Sequence, residues 1–326
     1  MKKYILIGFV LMMLIASAVS AGKITTRKIS SDYPKQPEQP VDGPGGSNYS
    51  HEGVIRYSYN FGEHQYWIFE PDSPKPESAP LIVFNHGWSA FYPVIYIGWI
   101  NHIVKKGNIV VYPRYQSGFL IGFKQFSSNA IRAVKEAIQE LQTGNHVHPD
   151  LDKFAIVGHS LGGGITAHMA ALAGEKGLPT PKAIMPVQPY IPFAPIVDLS
   201  KIPSETLVVV LVGQDDMLAG DESGKTIFYD STQVPLSQKD FVIQVTDTYG
   251  KPGLFANHGA PLCLPLLNSV DAMDYYSTWK LFDALTDFAF YGKNGEYCLG
   301  DTPEQRFMGL WSDGTPVKEL IVTDSP

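Results

Sequence analysis

Phe154-Ala-Ile-Val-Gly-His-Ser-Leu-Gly-Gly163 is the stretch on which the fold turns. Four apolar residues run without interruption into Gly158, and a small-residue segment containing Gly162, Gly163, Gly164 and Ala167 continues to Leu172. An apolar run this short predicts a buried strand, and the small-residue segment predicts a helix packed close against it. Joined without a spacer, they form a strand, a tight turn and a helix, with Ser160 at the apex. Such a turn holds its central residue in a strained backbone conformation. Side chains at Gly158 or Gly162 would collide with the neighbouring strand and helix. Ser160 is thereby expected to project above the sheet at the amino end of a helix, whose dipole favours developing negative charge.

The same grammar repeats on either side. Leu81–Phe84, Asn108–Tyr112, Ala183–Val187, Leu207–Val212 and Phe241–Val245 read as further strands. Between them, Val94–Lys106 and a segment with Ile131, Val134, Ile138 and Leu141 on one face read as helices. Strands that are apolar throughout, rather than alternating, belong in a parallel sheet covered on both faces. The alternation predicts an α/β fold with a mostly parallel, doubly wound sheet flanked by helices. Its ligand site is expected beyond the carboxyl ends of the strands. Only 17 residues separate Gln188 from Thr206, too few for a large cap domain, so the site is expected to be open.

A serine hydroxyl is a weak nucleophile until a base takes its proton. The chain has nine histidines, and only His258 follows His168. In the chain order of a nucleophile elbow the acid and then the histidine come after the serine, which makes His258 the candidate base. The acid is expected just past Leu207–Val212, in Gly213-Gln214-Asp215-Asp216. Two adjacent aspartates point in different directions; Asp216 is favoured, with Asp215 the alternative. An oxyanion needs two backbone N–H donors. One is assigned to Leu161, the residue after the nucleophile. The other is assigned to Trp88 in His86-Gly87-Trp88, with Gly87 the alternative and His86 as a brace for the loop. Of the aromatic residues that follow, Trp88 and Tyr92 are expected to face the cleft and bind substrate.

These motifs resemble the α/β-hydrolase superfamily over roughly residues 55 to 292. His-Gly-Trp at 86–88, Gly-His-Ser-Leu-Gly-Gly at 158–163 and Asp-Met-Leu-Ala at 216–219 are most similar to its secreted esterases, the cutinase-like and dienelactone hydrolase-like enzymes. The resemblance implies a serine carboxylic ester hydrolase with Ser160 as nucleophile, His258 as base and Asp216 as orienting acid. A lipase, an acyltransferase or an amide hydrolase would use the same residues. A non-catalytic binding protein on this fold would be expected to lose a triad member, and all three are present.

The rest of the chain sets the context. Of its 326 residues, 44% are hydrophobic and 17% charged, with a net charge of −7 and no basic stripe. That balance excludes a disordered chain and a nucleic-acid partner. Lys2 and Lys3 precede an apolar stretch that ends in Val19-Ser20-Ala21, which reads as a signal peptide over residues 1–21. Residues 22–50, rich in proline, glycine and serine, read as a flexible linker, and 51–326 as the catalytic domain. Export implies a secreted or periplasmic protein, with no stable membrane insertion after signal cleavage. It also allows a disulfide between Cys263 and Cys298, worth roughly 3–4 kcal/mol. His146 and His148 are assigned to the turn entering the elbow strand. No metal site and no cofactor are implied, and the expected partner is a small-molecule or polymeric ester. Residues 300–326 carry no recognisable motif.

Overall fold

The computed structural model describes residues 33–118, 125–191, 197–263 and 270–326. The expected signal peptide, and the expected linker as far as residue 32, lie outside them.

Nine strands form one sheet in the order β1-β2-β4-β3-β5-β6-β7-β8-β9. The central six are β3 (Ser78–Asn85), β4 (Ile109–Pro113), β5 (His148–His159), β6 (Ala183–Val187), β7 (Leu207–Gly213) and β8 (Lys239–Gln244), all parallel. Antiparallel strands flank them: β1 (Gly53–Tyr59) and β2 (Tyr66–Asp72) on one side, β9 (Ile321–Thr323) on the other. The helices are α1 (Ile97–Lys105), α2 (Phe126–Leu141), α3 (Leu161–Lys176), α4 (Glu222–Asp230), α5 (Trp279–Tyr291) and the single turn α6 (Pro303–Arg306).

Why the strands are apolar throughout is visible in how they are divided. Successive residues of a strand face opposite sides. Ile82, Phe84, Val110, Tyr112, Ala155, Val157, Val209 and Leu211 join one core with residues of α1 and α5, among them Trp99, Ile103, Leu281 and Leu285. Their neighbours Leu81, Val83, Ile109, Val111, Phe154, Ile156, Val208 and Val210 join another with residues of α2, α3 and α4, among them Val134, Ile165, Met169 and Phe228. This is the doubly wound α/β-hydrolase architecture that the sequence implied. Among the described residues there is no cap domain; only the short turn Leu199–Lys201 lies between β6 and β7.

The strand order places the site. From β3 the chain crosses one way to β4, then back past β3 to β5 and onward to β8. The reversal lies between β3 and β5, so the loops leaving their carboxyl ends diverge and open a crevice. Those loops carry His86-Gly87-Trp88 and Ser160.

Two expectations need correction. Tyr33–Ser50 is not a flexible linker but a strap packed along the domain. Lys251 N–H donates to Pro34 O, Ser312 N–H to Lys35 O, and Gly45 N–H to Asp283 Oδ2. Tyr49 Oη and Asp283 Oδ2 also hold the two ring nitrogens of His102, at 3.1 and 2.8 Å. Its prolines and glycines remove any apolar period, yet Pro37, Pro44 and Gly45 are buried. An extended backbone is anchored here one partner at a time, and a search for periodicity does not register that. The expected Cys263–Cys298 disulfide is also absent, both residues being buried free thiols. Each occupies its own niche: Cys263 N–H donates to Ile95 O and its Sγ lies among Gly98, Pro261 and Asp274. Cys298 Sγ donates to Gly295 O at 3.4 Å.

The motif-free carboxyl terminus proves to be structural. Trp311 is buried and donates to Asp247 Oδ2 (3.1 Å), and β9 pairs with β8 at the sheet edge. Lys280 of α5 donates to the carbonyls of Glu304, Gln305 and Phe307.

Candidate active site

Ser160 stands between β5 and α3 with φ 57° and ψ −124°, a region that a side-chain-bearing residue occupies only where its surroundings over-determine it. The surroundings do so. A Cβ on Gly162 would lie 2.1 Å from Asn85 O, and one on Gly158 would lie 2.4 Å from Gly162 O. Thr166 Oγ1 donates to Gly162 O, and Asn85 Nδ2 donates to Thr166 Oγ1, tying helix, turn and β3 together. Ser160 N–H donates to Val187 O at the end of β6.

His258, 98 residues further on, closes on this turn. Its Nε2 lies 2.9 Å from Ser160 Oγ and its Nδ1 2.8 Å from Asp216 Oδ2. Asp216 follows β7 and its side chain is fully buried. Its second oxygen, Oδ1, accepts the N–H groups of Leu218 (3.0 Å) and Ala219 (2.9 Å). Burial pushes the Asp216 carboxyl up. The hydrogen bond and charge of His258, with those two N–H groups, outweigh it and hold the carboxyl below the ordinary aspartate value. Asp215 turns to solvent and accepts from Thr246 Oγ1. That contact helps fix the loop carrying His258, because Ala256 N–H donates to Thr246 Oγ1 and Asp215 N–H donates to Ala256 O.

The residues expected to bind an oxyanion lie on either side of the crevice. Leu161 opens α3, so its N–H stands at the positive end of a 16-residue helix. Across the crevice, Gly87 N–H is committed to Tyr96 Oη at 3.0 Å, which removes it as the alternative donor. His86 does brace this loop: its ring nitrogens meet Gly87 O and Arg114 O at 2.6 and 2.7 Å, and burial pushes the imidazole down to about 4. Trp88 is half-buried against the core that includes α2 and α3. Tyr92 is exposed, with the Arg114 guanidinium 5.3 Å from its ring centre. Tyr96 and Trp99, further along the same segment, are core residues.

A family model described as Chlorophyllase matches residues 65–192. The matched stretch runs from β2 through the His86–Trp88 loop and the elbow, and that family is one of the α/β-hydrolase superfamily. The chain is an α/β-hydrolase. No curated protein matches it. The match holds Ser160 but ends before Asp216 and His258. For those two residues, the geometry of this α/β-hydrolase stands on its own.

One part of the site has no assigned role among the motifs read from the sequence. His159, the residue before Ser160, is buried, with its ring centre 4.7 Å from that of His258. Its Nδ1 lies 2.9 Å from Tyr96 Oη and its Nε2 3.2 Å from Gln188 Oε1. Gln188 has φ 43° and donates through Nε2 to Asn257 O at 2.8 Å. The available signal was the elbow itself: a residue beside an outward-pointing serine faces inward, where a histidine needs two partners. Among the described residues no group of three or more His, Cys, Asp or Glu side chains is placed to hold a metal. No helix among them is long and apolar enough to cross a membrane.

Proposed function

We propose that this α/β-hydrolase is an exported serine hydrolase that cleaves carboxylic esters through an acyl-enzyme on Ser160. The observation carrying this reading is the continuous hydrogen-bond chain Asp216–His258–Ser160 at a strained elbow. In acylation, His258 Nε2 takes the Ser160 proton as Oγ attacks the ester carbonyl, and Asp216 stabilises the imidazolium that forms. Leu161 N–H and Trp88 N–H receive the oxyanion; removing one such donor typically costs about 10²–10³ in turnover. His258 then protonates the departing alcohol, and a water activated by the same nitrogen releases the acid.

Apolar side chains around the mouth support an ester with a bulky apolar portion. Tyr92, Tyr190, Met217, Leu218 and Phe255 are all exposed, and each belongs to a loop at the carboxyl end of the parallel strands. Met217, 95% exposed, directly follows the candidate acid. Such side chains lose water when an apolar group docks, a gain of about 25 cal/mol per Å² of apolar surface covered.

Fluorophosphonate labelling, together with a panel of p-nitrophenyl esters of increasing acyl length, tests the reading on wild type and Ser160→Ala. Labelling and turnover that vanish in Ser160→Ala are the expected result. A wild type that neither labels nor turns over any ester of the panel refutes it. For export, the test is amino-terminal sequencing of the mature protein, with cleavage after Ala21 expected.

A further inference from the structure

The two halves of the site stand on loops far apart in sequence: the oxyanion loop after β3, and the base loop carrying His258. One chain of hydrogen bonds, buried from Tyr96 to Gln188, joins them. Gly87 N–H donates to Tyr96 Oη (3.0 Å), Tyr96 Oη meets His159 Nδ1 (2.9 Å), His159 Nε2 meets Gln188 Oε1 (3.2 Å), and Gln188 Nε2 donates to Asn257 O (2.8 Å). Asn257 immediately precedes His258.

The two ends dictate the direction of every link. Gly87 N–H can only donate and Asn257 O can only accept. Because Asn257 O requires the amide nitrogen of Gln188, the amide oxygen faces His159, so His159 Nε2 carries the proton. His159 Nδ1 is then an acceptor and receives the Tyr96 hydroxyl proton. The reverse tautomer would turn the Gln188 amide and set its oxygen against Asn257 O. Tyr96, His159 and Gln188 are all buried, so a mismatched link leaves a polar group without solvent.

We propose that His159 is a positioning residue: a neutral imidazole that, through Tyr96 and Gln188, locks the oxyanion loop and the base loop to the elbow in one register. The proposal rests on the reading of Ser160 as the nucleophile. The titratable groups facing His159 are Tyr96, His258 and Asp216. Burial first, and then the neighbouring His258, push the His159 imidazole down to about 3, against the opposing pull of Gln188 and Asp216. It stays uncharged while His258 gains and loses its proton beside it. A second imidazolium 4.7 Å away would oppose that step.

Two measurements test this. The first is ¹⁵N imidazole spectroscopy of the wild type from pH 5 to 9, which is expected to show His159 as the Nε2–H tautomer throughout. The Nδ1–H tautomer, or protonation within that range, overturns the proposal. The second is kinetics on p-nitrophenyl butyrate, with phenylboronic acid as a tetrahedral mimic, for Tyr96→Phe, His159→Leu and His159→Gln. Misplacing reacting groups by an ångström costs on the order of 10²-fold. Tyr96→Phe and His159→Leu are therefore expected to lose roughly 10- to 100-fold in kcat with KM within about twofold, and boronate affinity should fall in parallel. His159→Gln, whose amide offers one acceptor and one donor, should recover most of the loss. Wild-type kcat in Tyr96→Phe and His159→Leu overturns the proposal, as does a loss in His159→Gln equal to that in His159→Leu. An inactive wild type overturns the hydrolase reading instead, and the tautomer spectrum still decides the chain.

Discussion

Replacing Asp216 by asparagine changes one atom and should silence the proposed triad. Asp216 Oδ1 accepts two backbone N–H groups, from Leu218 and Ala219, while Oδ2 accepts from His258 Nδ1. In Asp216→Asn the amide oxygen must stay on the two N–H groups, because an NH2 there would set donor against donor. The amide nitrogen then faces His258 Nδ1 and needs an acceptor. His258 responds by moving its proton to Nε2, where it points at Ser160 Oγ, 2.9 Å away. In that tautomer the imidazole cannot take the serine proton. The same substitution in a triad of this geometry costs about 10⁴ in turnover, or roughly 5 kcal/mol of transition-state stabilisation. Asp215→Asn provides the contrast. Asp215 is exposed and its carboxylate reaches Thr246 rather than His258, so its turnover should stay within about threefold of wild type. Initial rates on p-nitrophenyl butyrate, with thermal melting to show that both variants fold, decide the matter. Asp216→Asn retaining a tenth of wild-type kcat, or Asp215→Asn losing as much as Asp216→Asn, would show that Asp216 does not hold the His258 tautomer.

Three further outcomes are expected. Gly162→Ala places a Cβ 2.1 Å from Asn85 O and 2.4 Å from His86 O; only backbone movement relieves this, so turnover should fall about 10²-fold or more, and a variant matching wild type in rate and melting would contradict the packing described. Lys280→Met strips three carbonyls of their buried donor and should cost about 3 kcal/mol in urea unfolding; a loss below about 1 kcal/mol would show that water replaces the ammonium. The third concerns pH. Burial pushes His168 from 6.5 down to about 4, so between those values the unfolded chain binds a proton that the folded one does not. Stability present above pH 6.5 is therefore lost as pH falls, by about 1.4 kcal/mol per unit and completely below pH 4. His168→Gln removes that proton; on going from pH 7 to 4.5 it should lose about 2 kcal/mol less than wild type in urea unfolding. Equal losses would show that His168 is charged in the folded state.

Local pattern carried far in this chain because the central strands are short, buried on both faces and apolar at every position. Residues 183–187 read as a strand and are one; 207–212 falls short by one residue; the elbow lies where its glycines require. The edges were illegible for the opposite reason. β1 alternates half-buried and exposed residues, and β9 has three residues, none fully buried. An edge strand is defined by its neighbour, Phe241–Ile243 in the case of β9, and that neighbour lies some 80 residues away.

The elbow, the parallel sheet and the identity of the histidine that reaches Ser160 were legible along the chain. Each follows from steric need, from uninterrupted apolar runs, or from a chain order that leaves one residue available. Tertiary structure alone decided between Asp216 and Asp215, since adjacent side chains diverge and only the folded loop shows which one faces His258. It also decided that Gly87 is already engaged by Tyr96, that the cysteines stay apart, and that Tyr33–Ser50 is a strap. Above all it assembled Gly87, Tyr96, His159, Gln188 and Asn257 into one chain. Hydrogen bonds between residues up to 69 positions apart leave no periodic trace along a sequence; they exist only once packing has brought donors to acceptors and excluded the water that would otherwise serve them.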